Sequence, residues 1–156
     1  MASQRFPTRI DPRFAPILRI LFGVKQENAY VELTDAPDGD AARLQGAAPP
    51  QGAGTFFARY GRFHAETPIA NIVSWRIEGP WRAITALGVR MSVRYRDLTF
   101  GGTARGGVRL DFRERVKVSV MHPPALYVTV DDLEGLAAAL TARGIPGEDA
   151  RTRVVP

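Results

Sequence analysis

The sequence predicts a mainly β domain of the α+β kind: six to eight antiparallel strands in a barrel or two-sheet roll, capped by one C-terminal helix. Three observations predict it. From residue 29 onward, apolar residues recur at every second position. In the stretch from Val108 to Arg113, Val108, Leu110 and Phe112 fall on one side and Arg109, Asp111 and Arg113 on the other. That alternation belongs to a sheet with one wet face, which favours antiparallel pairing. Finally, only residues 131–144 combine an apolar stripe with both a helix start and a helix stop.

One domain is expected, because a chain of 156 residues buries roughly 70% of the surface its unfolded form exposes. Residues 1–27 read as an N-terminal arm followed by a short apolar helix, 28–147 as the β domain, and 148–156 as a tail. The arm carries Arg5, Arg9 and Arg13 and two prolines. Pro16 suits the first turn of a helix over 16–22, and Gly23 suits its end. That helix holds Ile17, Leu18, Ile20, Leu21 and Phe22 with Arg19 alone among them, so it is expected to plug an open end of the core. An interfacial membrane anchor is the alternative, for which one arginine is a thin polar face. The apolar run is too short, at about eleven residues, to span a bilayer, and no signal-peptide cleavage pattern follows it. A cytoplasmic protein, or one peripheral to the membrane, is the expectation.

Residues 29–35 alternate as a strand. Residues 35–54, rich in Asp, Pro, Gly and Ala, read as a long loop. Residues 55–66 and 69–79 are the next two strands, and Met91–Tyr95 a short one. The stretches beginning at Asp97, Gly106, Val116 and Leu126 complete the series. Asp131 is the expected N-cap of the closing helix, with Glu134 three residues on as in a capping box. Leu133, Leu136, Ala137 and Leu140 form its apolar stripe. Arg143 stands in the last turn, Gly144 takes the left-handed position, and Pro146 prevents a restart.

Several chemistries are excluded or disfavoured. There is no cysteine, hence no disulfide, thiolate metal site or Cys nucleophile. The glycine-rich run Gly101–Gly107 joins two strands and lacks a phosphate-binding lysine, so a hairpin or bulge is expected there. The acidic run from Asp35 to Asp40 has Pro37 at its third position and no glutamate at its twelfth, unlike a calcium loop. His64 and His122 are isolated. No metal, no cofactor and no catalytic residue are expected. The net charge is +5, and of 21 basic residues only Lys25 and Lys117 are lysines. Residues 76–117 hold ten of the cations against four acids, interleaved with Trp81 and Tyr95. Such a band can grip anions or stack on rings, although nucleic-acid motifs are missing and nucleic acid is not the expected partner.

The strand at 71–84, the stretch Asp97–Gly102, the strand at 107–112, the His122–Pro123 turn and the entry into the helix at 128–140 together resemble the bacterial pleckstrin-homology-like (PH-like) domains. The resemblance is nearest to conserved actinobacterial proteins of that kind and spans residues 28–144. It implies a β roll closed by one helix, and no catalytic constellation accompanies that pattern in the sequence. Phosphoinositide binding does not carry over, because the first hairpin loop would hold Asp35, Asp38 and Asp40 against Arg43 alone. The expected function is therefore a non-catalytic PH-like module for a protein partner or an acidic membrane surface. Trp81, Arg82, Arg90, Arg94 and Arg96 are the expected contacts. The alternatives are a helix-grip small-molecule carrier, whose helix would need to be much longer, and an enzyme of unrecognised kind.

Overall fold

The computed structural model describes residues 3–36, 53–80, 87–92 and 96–151. The architecture is mainly β, in two sheets. The first contains β1 (Ser3–Pro7), β2 (Ala29–Thr34), β3 (Thr55–Tyr60) and β4 (Phe63–Pro68), in that spatial order and antiparallel throughout. The second contains β5 (Ile72–Glu78), β6 (Gly88–Ser92), β7 (Asp97–Gly101), β8 (Gly107–Phe112), β9 (Ala125–Val128) and β10 (Gly147–Asp149), ordered β10-β5-β8-β9-β7-β6. Helix α1 (Ala15–Phe22) follows β1, and α2 (Leu133–Ala142) lies between β9 and β10.

The two sheets meet face to face, and alternation decides which residues meet. Phe6, Val31, Leu33, Phe56, Ala58 and Tyr60 point inward from the first sheet; Ile77, Leu98, Phe100, Val108, Leu110, Leu126 and Val128 answer from the second. Tyr60 stacks on Phe100 with ring centroids 5.6 Å apart, and its buried hydroxyl donates to the Gly101 carbonyl. That bond satisfies a group that would otherwise be costly inside a dry core. Helix α2 covers β5 and β8 with Leu136 and Leu140, both fully buried. Leu133 is half-buried against the same core.

Several expectations need correction. Among the described residues ten strands form rather than six to eight, the sheets do not close into a barrel, and two pairs are parallel: β7 with β9 and β10 with β5. The extended arm is not free, since Ser3–Pro7 pairs with β2 and buries Phe6. The run 55–66 is a hairpin, split where Gly61 takes a left-handed φ of 61°. Residues 116–121 alternate as a strand would, with Val116 and Val118 buried, yet only a single Val118–Met121 bridge forms. The helix N-cap is Asp132, whose Oδ1 accepts from the Gly135 amide at 2.9 Å. Asp131 is held one residue earlier, its amide donating to the Pro7 carbonyl at 2.8 Å. Glu134 pairs with Arg151 instead of closing a capping box. Most of the loop expected at 35–54, and residues 93–95 of the short strand, lie outside the described residues.

The glycine-rich run is neither hairpin nor bulge. It connects β7 to β8, which have β9 between them. Gly102 makes that crossing possible. A Cβ there would lie 2.3 Å from the Arg9 carbonyl oxygen, and the Gly102 carbonyl accepts from the Asp11 amide at 2.7 Å. Gly102→Ala is therefore expected to push the segment around Arg9 off the sheet and cost about 2–3 kcal/mol, read as a lower denaturant midpoint. A midpoint equal to wild type would show that the backbone relaxes freely.

Candidate interaction surface

Only part of the expected arginine contact patch can be placed. Trp81, Arg82 and Arg94 lie outside the described residues. Arg90 is exposed on the edge strand β6, opposite Thr99 of β7. Arg96 is exposed in the β6–β7 turn with a φ of 52°. Elsewhere three cations of the band have partners on the second sheet or beside it. Arg76 pairs with Glu148 at 3.2 Å, Arg109 bridges Asp97 and Asp111 at 3.3 and 3.2 Å, and Arg115 donates to the His122 carbonyl.

Arg76, Glu78, Asp97, Arg109 and Asp111 all sit on the face of the second sheet that points away from the core, by their register across β5, β8 and β7. Burial lifts the Glu78 carboxyl above its ordinary value, with Arg109 and Arg76 pulling it partly back. Burial lifts Asp97 in the same direction against Arg109. An acid whose folded pKa is raised stabilises the fold below its unfolded value, and that contribution is lost as pH rises through the folded pKa. Glu78→Gln should therefore lose less stability than wild type as pH is raised from below the ordinary glutamate value of 4.5 toward neutrality. The check is the difference between the two melting curves across that window, and parallel curves would refute it.

The feature that stands apart is α1. Its segment is anchored at both ends: the Ala15 amide donates to the Asp11 carbonyl, and the Phe22 carbonyl accepts from the Arg62 amide. Gly23 ends the helix in the left-handed region with a φ of 69°. Leu18 is buried, Phe14 and Phe22 pack against the core, and the Phe22 ring fills the space beside Gly88 where a Cβ would stand 2.6 Å away. The opposite side is open. Ile17, Ile20 and Leu21 are 54%, 76% and 58% exposed, at spacing i, i+3, i+4 and so on one face of the helix. The expected plug is thus only half correct: one side seals the core and the other meets solvent.

Cations accompany this stripe along the chain. Residues 9–27 carry Arg9, Arg13, Arg19 and Lys25 against Asp11 and Glu27. Arg62 lies over Gly23, its Nε 3.1 Å from the position a Cβ would take there. Arg13 bonds to Asp11 at 3.3 Å and, with Arg105 nearby, holds that carboxyl below its ordinary value. The sequence showed these apolar residues and their basic flanks; it could not show which side of α1 the core would use.

Among the described residues no helix is long and apolar enough to cross a membrane, and no group of three or more His, Cys, Asp or Glu is placed to hold a metal ion. Comparison with protein-family models, curated proteins and solved structures finds no match.

Proposed function

We propose that the protein is a non-catalytic binding module, PH-like in general arrangement, that docks on an anionic membrane surface through α1. The observation that carries this reading is the exposed Ile17–Ile20–Leu21 stripe on a segment that also carries Arg9, Arg13, Arg19 and Lys25. Apolar side chains reaching the headgroup boundary and cations near the phosphates are two individually weak signals that add. Each Arg or Lys close to an anionic surface contributes about 1 kcal/mol, fading beyond a Debye length. The PH-like part of the reading rests on the sequence resemblance and is supported by two packed sheets covered by a helix after β9. Ten strands and two parallel pairs among the described residues depart from a simple antiparallel roll.

Co-sedimentation with vesicles tests it. The chain should bind phosphatidylcholine vesicles containing phosphatidylglycerol, release as salt rises, and ignore pure phosphatidylcholine. Equal binding to both compositions, or to neither, would refute the reading. A chain that ignores vesicles and dimerises through Ile20 would assign the stripe to a second copy.

A further inference from the structure

The edge of the second sheet formed by β5 carries a separate feature, independent of α1. Strand β10 lies parallel along it, with Gly147, Glu148 and Asp149 opposite Trp75, Arg76 and Ile77. The Trp75 amide donates to the Pro146 carbonyl at 3.0 Å, and the Ala150 amide to the Ile77 carbonyl at 2.9 Å. All three β10 residues are exposed, so the strand contributes main-chain bonds and surface ion pairs and buries little. Those pairs are Arg76 with Glu148 and Arg151 with both Glu134 and Asp149. Such a strand has few contacts to resist local opening.

The fit is nevertheless selective. A Cβ at Gly147 would stand 2.1 Å from a carbon of the Trp75 indole, which itself donates to the Ile145 carbonyl at 3.1 Å. Glycine is therefore required opposite the tryptophan, and an acid one residue later meets Arg76. A cleft of about 280 Å³ lies at this point, lined by Ser74, Trp75, Arg76 and Asp111 and by the segment 146–148. β5 also extends beyond its short partner. At its outer edge Ile72, Val73 and Ser74 pair with no strand among the described residues.

We propose that the outer edge of β5 is a docking site for an extended peptide strand, held closed by the chain's own β10 and opened when a longer strand displaces it. The partner carries glycine opposite Trp75, an acidic residue opposite Arg76, and extended residues upstream that pair with Ile72–Ser74. Main-chain bonds give such strand addition its affinity, and side-chain fit gives it selectivity. The longer ladder is the reason the incoming strand wins over β10.

Amide exchange on the full chain tests this with a synthetic peptide, Thr-Val-Thr-Val followed by a copy of residues 147–151. In wild type the peptide should leave the Trp75 amide protected while the Ala150 amide exchanges roughly tenfold faster, because its carbonyl partner has been taken. A peptide with valine in place of glycine should leave both amides as protected as in the chain alone. Gly147→Val should expel β10 and expose both amides, and the glycine peptide should restore protection at Trp75 alone. Arg76→Glu should shift preference to a peptide with lysine in place of the acid. Unchanged Ala150 exchange in wild type at saturating peptide would overturn the proposal and leave β10 as a blunt cap on a sheet edge. That outcome is readable even if Gly147→Val does not fold.

Discussion

Leu136→Asp is expected to unfold the domain or lower its melting temperature by more than about 10 °C. Leu136 is fully buried where α2 meets β5 and β8, at the only described place where the helix can exclude water from that part of the second sheet. A carboxylate there would lose its hydration and find no partner among aliphatic neighbours. Such a buried unpaired charge costs several kcal/mol, at the extreme of single-substitution effects. For a chain of this length each kcal/mol moves the melting temperature by about 2–4 °C. Leu136→Ala, which removes contacts without adding charge, should cost less, about 2–5 kcal/mol. Thermal melting by circular dichroism separates the two. A variant melting within a degree or two of wild type would mean that α2 is not the lid described above.

The second large effect concerns binding instead of folding. Ile20→Ser with Leu21→Ser should reduce partitioning onto anionic vesicles by roughly 30- to 800-fold while leaving the melting temperature within about 2 °C of wild type. Both side chains already face solvent, so the folded state loses little when they become polar. Insertion into the interface is different, since each would have contributed on the order of 1–2 kcal/mol of apolar transfer, together a factor of that size. Arg13→Glu with Arg19→Glu should weaken binding at low salt, and the deficit should shrink as salt screens the surface. Vesicle co-sedimentation at two ionic strengths tells the contributions apart. If the serine variant binds as well as wild type, α1 is not the inserting element, and the charged contacts alone carry whatever binding remains.

Where the determinants were local, the sequence was a sound guide. The apolar stripe of α2 and its stop at Gly144 followed from spacing and backbone freedom, which neighbouring residues supply. The same holds for α1, bounded by Pro16 and by Gly23 in its left-handed conformation. The hairpin at Gly61 was equally local and was still missed, because Phe57, Arg59 and Phe63 let the alternation read through the turn as one long strand. The N-cap moved from Asp131 to Asp132 for a non-local reason: the Asp131 amide is already taken by Pro7, some 124 positions earlier in the chain.

What the sequence by itself determined, then, was the strand-rich composition, the two helices and the face of α2 that must be buried, since periodicity and capping depend on residues within a turn or two. Only the tertiary structure decided the pairing. The parallel contacts of β7 with β9 and of β10 with β5 join residues tens of positions apart, and no local propensity distinguishes them from antiparallel alternatives. It also decided the surface. α1 is apolar on nearly every side, and long-range packing chose Leu18 for the core and left Ile17, Ile20 and Leu21 in solvent. Within the arginine band, prominent as a run of charge, the fold placed Arg76 beside Glu148 and Arg109 between Asp97 and Asp111, because Coulomb attraction acts between neighbours in space.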